Sequence, residues 1–220
     1  MKKRTRPPAL ILASTSPRRI ELMRQVGLFF KKAAPEIAEI RKSGEAPHSL
    51  VSRLASEKAW AATLNHPKHI SANEMNLIIA ADTIVIAPDE HTVLGKPKNK
   101  GDAFRMLKKL NGKTHTVLTA YCLLPFPDGT PHVRVVSSHV KMRALSDDAI
   151  RSYIKTGEPM DKAGAYAAQG VGMALIERIN GSYTNVVGLP MAQLLTDLEE
   201  RFGISIWKYP RKSSEKIERK

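Results

Sequence analysis

Two arginines follow a proline at the start of a helix-forming stretch, Ser14-Thr15-Ser16-Pro17-Arg18-Arg19, where acidic residues are the usual choice. Ser16 is a natural N-cap and Pro17 a natural first helical residue, because proline lacks the N–H that would go unpaired there. The free N–H groups and the macrodipole make this end of a helix positive, so each arginine opposes it by about 0.3 kcal/mol or more when exposed. An anion bound at the turn would remove the conflict, with the hydroxyls of Ser14, Thr15 and Ser16 as further donors. Pairing of both arginines with acids elsewhere, such as Glu21, is the other resolution. Neither G-x-x-x-x-G-K-[ST] nor G-x-G-x-x-G occurs here, so a phosphate would be held by Arg and Ser side chains and helix N–H groups.

Other residues could join such a site. Asp82 follows the apolar run Leu77-Ile78-Ile79-Ala80-Ala81. Ligands of open α/β sheets gather outside the carboxyl ends of strands, although a strand-ending turn aspartate has the same appearance. Glu36 and Glu39 offer hard oxygens for Mg²⁺, which takes one or two carboxylates plus substrate phosphates; alone, such a pair also reads as solvated. Lys96 in Gly-Lys-Pro and Lys162 in Asp-Lys-Ala-Gly lie in tight loops, where solvated lysines are ordinary too. Gln169 is a long amide in a run of small residues, which points to a specific hydrogen bond. His115, between two threonines, reads as structural. No His/Cys cluster has zinc spacing and no Ser/His/Asp arrangement stands out. The set suits a magnesium-dependent enzyme acting on a polyphosphate.

These residues need elements to hold them. Ala9 to Ala13 reads as a buried strand, followed by a helix to about Gly27, a short strand within 28–34 and a helical period from His48 to Asn65. Residues 76–81 form a central strand ending at Asp82-Thr83, with 84–86 continuing and Asp89-Glu90 turning back to 92–94. A helix spans 99–110, closed by Asn111-Gly112. Two long strands, 114–124 and 133–143, precede a helix capped by Ser146. The Gly- and Ala-rich stretch 158–170 is unlike a surface helix. Residues 173–179 and 183–187 read as strands, and Pro190 opens a last helix to Phe202. Mixed strands and helices without strict alternation give an α/β fold with a long, twisted, mixed sheet.

The chain has 220 residues, enough for one domain or one domain with a small lobe, and 42% hydrophobic content supports a full core. A single cysteine, Cys122, excludes an intrachain disulfide and fits a reducing compartment. No apolar run reaches the ~18 residues of a membrane span, and the basic N-terminus lacks a signal peptide's apolar region, so a cytoplasmic protein is expected. The net charge is +14, yet the tails at 1–8 and 208–220 each carry a net +4, more than half of the excess. Aromatic residues make up 5% and no RNA- or DNA-binding signature occurs, so nucleic-acid contact beyond weak binding by the tails is not expected.

Seven blocks in order carry a resemblance that spans residues 9–203: Leu12-Ala13-Ser14-Thr15-Ser16-Pro17-Arg18-Arg19, Leu54-Ala55-Ser56-Glu57-Lys58-Ala59, Ala81-Asp82-Thr83, Gly95-Lys96-Pro97, Gly157 to Tyr166, Gln169-Gly170 and Val187-Gly188-Leu189-Pro190. They resemble the Maf family of nucleotide pyrophosphatases, also described as septum-formation inhibitors. The resemblance implies an α/β fold akin to inosine triphosphatases (Maf/Ham1-like) over residues 9–207, undivided or in two lobes with the cleft between. It implies hydrolysis of a nucleoside triphosphate to the monophosphate and pyrophosphate with a divalent cation, Mg²⁺ or Mn²⁺, and a homodimer. Asp82 matches the catalytic acid, described as a proton acceptor. Arg18, Thr83 and Gln169 match positions tied to substrate choice. Arg19, Lys58, Lys96 and Lys162 match basic positions near the phosphates, and Glu39, with Asp82, the metal side. Ser-Pro-Arg-Arg, Ala-Asp-Thr and Asp-Lys-Ala-Gly with Gln169 resemble the branch preferring dTTP and UTP, with modified pyrimidine nucleotides as further substrates and a house-cleaning role. A glutamine amide can pair with the O4/N3–H edge of uracil or thymine. Ala38 stands where many members have Asp, and Ala167-Ala168 where Gly-Ile is usual. The alternative is a non-catalytic nucleic-acid-binding or cell-division regulatory protein on the same fold.

Overall fold

The apolar runs pair into one mixed, seven-stranded sheet in the computed structural model, which describes residues 8–65 and 75–208. The expected basic tails therefore lie outside the described residues, Pro8 and Lys208 excepted. The strands are β1 (Ala9–Ala13), β2 (Lys31–Ala33), β3 (Asn76–Ile86), β4 (Val93–Leu94), β5 (Thr114–Phe126), β6 (His132–Met142) and β7 (Ile176–Asn180). Their order is β2-β1-β3-β5-β6-β7, with β4 also on β3. β1 runs parallel to β2 and β3, while β3, β5, β6 and β7 pair antiparallel.

The helices are α1 (Pro17–Gln25), α2 (Pro47–Asn65), α3 (Lys100–Leu110), α4 (Asp147–Lys155), α5 (Tyr183–Val187) and α6 (Met191–Phe202). Strand alternation sorts the core into faces. Leu10, Leu12, Leu77 and Ile79 pack with Leu22 and Met23 of α1 and Leu194 and Leu198 of α6. Ile11, Ala13, Ile78 and Ala80 face α2, whose Ala55, Ala59 and Ala62 are fully buried against them. Beyond these, Val85, Val117 and Val140 pack under α3 and α4.

Three expectations need correction. Asp82 and Thr83 do not end a strand: they pair with Ala120 and Thr119, and the eleven-residue β3 runs on to Ile86. Residues 183–187 form a helix, although Tyr-Thr-Asn-Val-Val favours a strand. Ser182 caps it, its hydroxyl accepting from Asn185 N–H at 3.2 Å, and the Asn185 side chain donates to Val117 O at 3.1 Å and Ser138 Oγ at 3.0 Å. Tertiary anchoring overrides propensity there. Within 173–179 only Ile176 onward is strand, since Gly170–Leu175 winds as a 3₁₀ helix.

Candidate active site

The site lies at a gap in the sheet. β1 flanks β3 as far as Ala80, and β4 takes up the same flank at Val85, so Ala81–Ile84 have no strand neighbour on that side among the described residues. Successive side chains of β3 point to opposite faces. Asp82 therefore meets α2, and Thr83 meets α1 and the turn after α5. A cavity of about 330 Å³ fills the gap.

On the α2 side, the ammonium of buried Lys58 donates to Asp82 Oδ1 at 2.6 Å and to Glu39 Oε1 at 2.6 Å. Burial alone would raise the Glu39 carboxyl. The Lys58 hydrogen bond and the charges of Lys58, Lys96 and Arg19 together outweigh it and hold Glu39 below the usual carboxylate range. Glu39 sits on a segment tied to α2 by Arg53, which donates to both Glu45 oxygens at 2.7 Å and to Ile40 O at 3.0 Å. Glu36 is exposed and lies outside the cavity.

On the other side, Arg19 donates through Nε to Gly188 O at 2.8 Å and through Nη2 to Thr83 Oγ1 at 3.0 Å. Thr83 Oγ1 lies 3.0 Å from Thr119 Oγ1, and the Thr119 hydroxyl donates to Asn185 O at 2.9 Å. That fixes the direction of the relay: Thr119 spends its proton on Asn185, so Thr83 donates to Thr119 and accepts from Arg19. Gly188 adopts φ +125, a conformation side chains rarely take, and so presents its carbonyl to Arg19. Burial holds the Arg19 guanidinium below the usual arginine value against the pull of Asp82; it stays charged.

Ser16 occupies the N-cap position of α1 with Pro17 first in the helix, but its side chain accepts no N–H of the first turn. Instead Ser14 Oγ accepts from Ser16 N–H at 3.1 Å. The helix end therefore opens on the cavity with no side-chain cap from Ser16 and no acid in its first turn. Arg18 does not pair with Glu21. It approaches Asp161 at 3.9 Å, and Lys162 holds that same Asp161 at 2.6 Å and Glu158 O at 2.7 Å. Lys96 lines the cavity with no hydrogen bond or ion pair among the described residues. Gln169, half-buried, lines it too.

Five cationic side chains thus face three carboxylates around one cavity, Arg18, Arg19, Lys58, Lys96 and Lys162 against Glu39, Asp82 and Asp161. The excess is positive, and an open helix N-terminus adds to it; both suit a polyanion. Asp82 and Glu39 also fit a hard divalent cation. Their oxygens converge on one ammonium, and the second oxygen of each has no partner among the described residues. No group of three or more His, Cys, Asp or Glu forms a metal cluster among those residues, so phosphate oxygens would have to complete the ligand set.

All of Ser14, Ser16, Arg18, Arg19, Glu39, Lys58, Asp82, Thr83, Lys96, Lys162 and Gln169 line this cavity. His115 does not; its Nε2 lies 2.7 Å from the Tyr166 hydroxyl, and burial pushes its pKa down to about 4. Sequence reasoning missed Thr119, Asn185, Asp161 and the supporting role of Gly188. A lone Thr on the same strand face as Val117 and Tyr121 was the available signal for Thr119, because a buried hydroxyl demands a partner.

A mixed α/β sheet with a cationic, carboxylate-floored cavity at its gap defines a protein built to hold a polyanion. The chain belongs to the Maf family: the family described as Maf-like protein matches residues 9–201. A protein of Acetivibrio thermocellus named dTTP/UTP pyrophosphatase is 42% identical over 90% of this chain and 98% of its own length. One of the same name from Geobacter sulfurreducens is 42% identical over 86% and 94%. The Staphylococcus aureus Ham1 structure is similar at TM-score 0.43 and 15% identity, over 88% of this chain and 90% of that one.

Proposed function

We propose that the protein is a nucleoside triphosphate pyrophosphatase that hydrolyses dTTP and UTP to the monophosphate and pyrophosphate, clearing such nucleotides, modified pyrimidines included, from the cytoplasmic pool. The observation that carries this reading is Asp82, a buried carboxylate fixed by Lys58 at 2.6 Å on the floor of a cationic cavity beside an open helix N-terminus. The names of the relatives supply the nucleotides.

In this mechanism a water oxygen bonds the α-phosphorus as the bond to the bridging oxygen breaks, and Asp82 Oδ2 takes the proton. Lys58 orients that carboxylate through Oδ1. Arg19, locked by Gly188 O and Thr83, and Lys96 face the leaving pyrophosphate. Lys162 and Arg18 sit at the other side, over Asp161. Gln169 reads the base through its amide, and a lost amide contact leaves buried polar groups unpaired, which is what discriminates. Glu39 would hold a divalent cation, Mg²⁺ or Mn²⁺, on the Asp82 side of the cavity, and when bound it would neutralise phosphate charge.

Chromatography of the products tests the reaction class. UMP and pyrophosphate from UTP support the reading, and UDP with inorganic phosphate overturns it. A panel with dTTP, UTP, 5-methyl-UTP, pseudo-UTP and 7-methyl-GTP tests the base. The non-catalytic alternative predicts no turnover and salt-sensitive nucleic-acid binding by the tails.

A further inference from the structure

Gln169 stands at the tip of a short closed loop, and the neck of that loop is clamped by a residue outside it. Gly172 packs against Ala167, so tightly that a Cβ at Gly172 would overlap the Ala167 carbonyl. The two ends of the segment 167–172 therefore meet. Glu158 holds the Gly172 end and Tyr153 the Ala167 end. Glu158 Oε2 accepts from Gly172 N–H at 2.8 Å. The Tyr153 hydroxyl accepts from Ala167 N–H at 3.2 Å and faces the same carboxylate. Glu158 Oε1 lies only 2.2 Å from where a Cβ of Gly170 would be, and Gly170 has φ +63, so the carboxylate is seated against the backbone next to Gln169. The main chain of Glu158 does a second job, its carbonyl accepting from the Lys162 ammonium at 2.7 Å.

We infer that Glu158 is a positioning residue that sets base selectivity: it holds the loop carrying Gln169 in register with Lys162, so that base and triphosphate are measured from one anchor. The inference rests on the proposed reaction and deepens it. Glu158 does not line the cavity. Its effect passes through loop order, because a preorganised amide loses less entropy on pairing than a mobile one.

The experiment compares wild type, Glu158→Ala, Glu158→Gln and Tyr153→Phe. Steady-state kinetics with dTTP, UTP and dCTP give kcat/KM ratios, and hydrogen exchange gives protection of residues 167–172. Glu158→Ala should lower the dTTP-to-dCTP ratio about tenfold or more, mainly through KM for dTTP, and speed exchange across the loop. Glu158→Gln keeps an acceptor for Gly172 N–H and should restore most of the ratio. Tyr153→Phe retains the Gly172 bond and should give a smaller loss; it also serves if Glu158→Ala fails to fold. A uniform fall in kcat with an unchanged ratio overturns the inference, as does loop exchange identical to wild type. Absence of hydrolysis in the wild type instead overturns the proposed reaction, and the exchange result still decides the clamp.

Discussion

Replacing Asp82 by asparagine removes the proton acceptor with minimal disturbance around it. The new side-chain amide keeps an oxygen for the Lys58 ammonium, which now sits 2.6 Å from Asp82 Oδ1, and Lys58 keeps its second carboxylate, Glu39, at 2.6 Å. No buried charge is therefore left alone, and the thermal midpoint should move by only a few degrees. A positioned general base contributes roughly 10²–10⁴-fold. Arg19 and Lys96 remain to stabilise the leaving group, so kcat should fall about 10³-fold, equivalent to about 4 kcal/mol of transition-state stabilisation. Binding should move the other way. Removing a carboxylate from beside a polyanion relieves repulsion, so the Kd for a non-hydrolysable UTP analogue, measured by calorimetry in EDTA, should stay level or tighten. Single-turnover quench kinetics with product chromatography measure the chemical step. Turnover within threefold of wild type refutes the assignment of Asp82 as base; a thousandfold loss of metal-free binding with kcat unchanged refutes it equally.

Lys58→Met leaves two carboxylates facing each other, and breaking a buried pair costs about 3–5 kcal/mol; chemical denaturation at pH 7 should show it. Glu39 has a folded pKa below its unfolded one, so its contribution is present above the unfolded value and is lost as pH falls through the folded one. The gap between wild type and Lys58→Met should therefore narrow below about pH 4. Gln169→Ala should reduce the dTTP-to-dCTP ratio of kcat/KM at least tenfold, since the loss of a paired contact is worth about 1.4 kcal/mol per decade; an unchanged ratio refutes its reading of the base. Asp197 of α6, outside the cavity, is buried with the Tyr121 hydroxyl, His132 Nε2 at 2.9 Å and Arg134 at 3.1 Å on it. Asp197→Ala should destabilise by about 2–3 kcal/mol by orphaning these groups, while kcat and KM stay as in wild type; a kinetic change of tenfold would contradict its purely structural role.

What can be read in the chain depends on whether the signal is local. Ser146 caps its helix as its position announces, its hydroxyl accepting from Ala149 N–H at 3.2 Å, and Asn99 does the same for α3. The apolar period of 48–65 yields α2 almost to the residue. The conflict of two arginines at a helix start is legible too, because it breaks an electrostatic rule within four residues. Tyr183–Val187 misleads since Asn185 reaches β5 and β6, and no local propensity reports a bond across 68 residues. Asp82 misleads for a related reason. A charged residue after five apolar ones resembles a strand end, yet the ladder to β5 continues through it, and what ends there is the neighbour, β1. Glu158 lies inside a recognised block, but its contact with Gly170 and Gly172 is not legible there, because folding brings the two glycines against it.

The gap between β1 and β4 has a bearing on solubility. Unpaired strand edges invite pairing with other chains, and proteins cover or charge them. Here the flank of β3 without a strand partner among the described residues is four residues long, Ala81–Ile84, closed at both ends by strands already in register, and bordered by a guanidinium and an ammonium. An incoming strand would find too few partners to nucleate and two cations in its path. The molecule can thus display reactive backbone in the middle of its sheet without offering a template for aggregation.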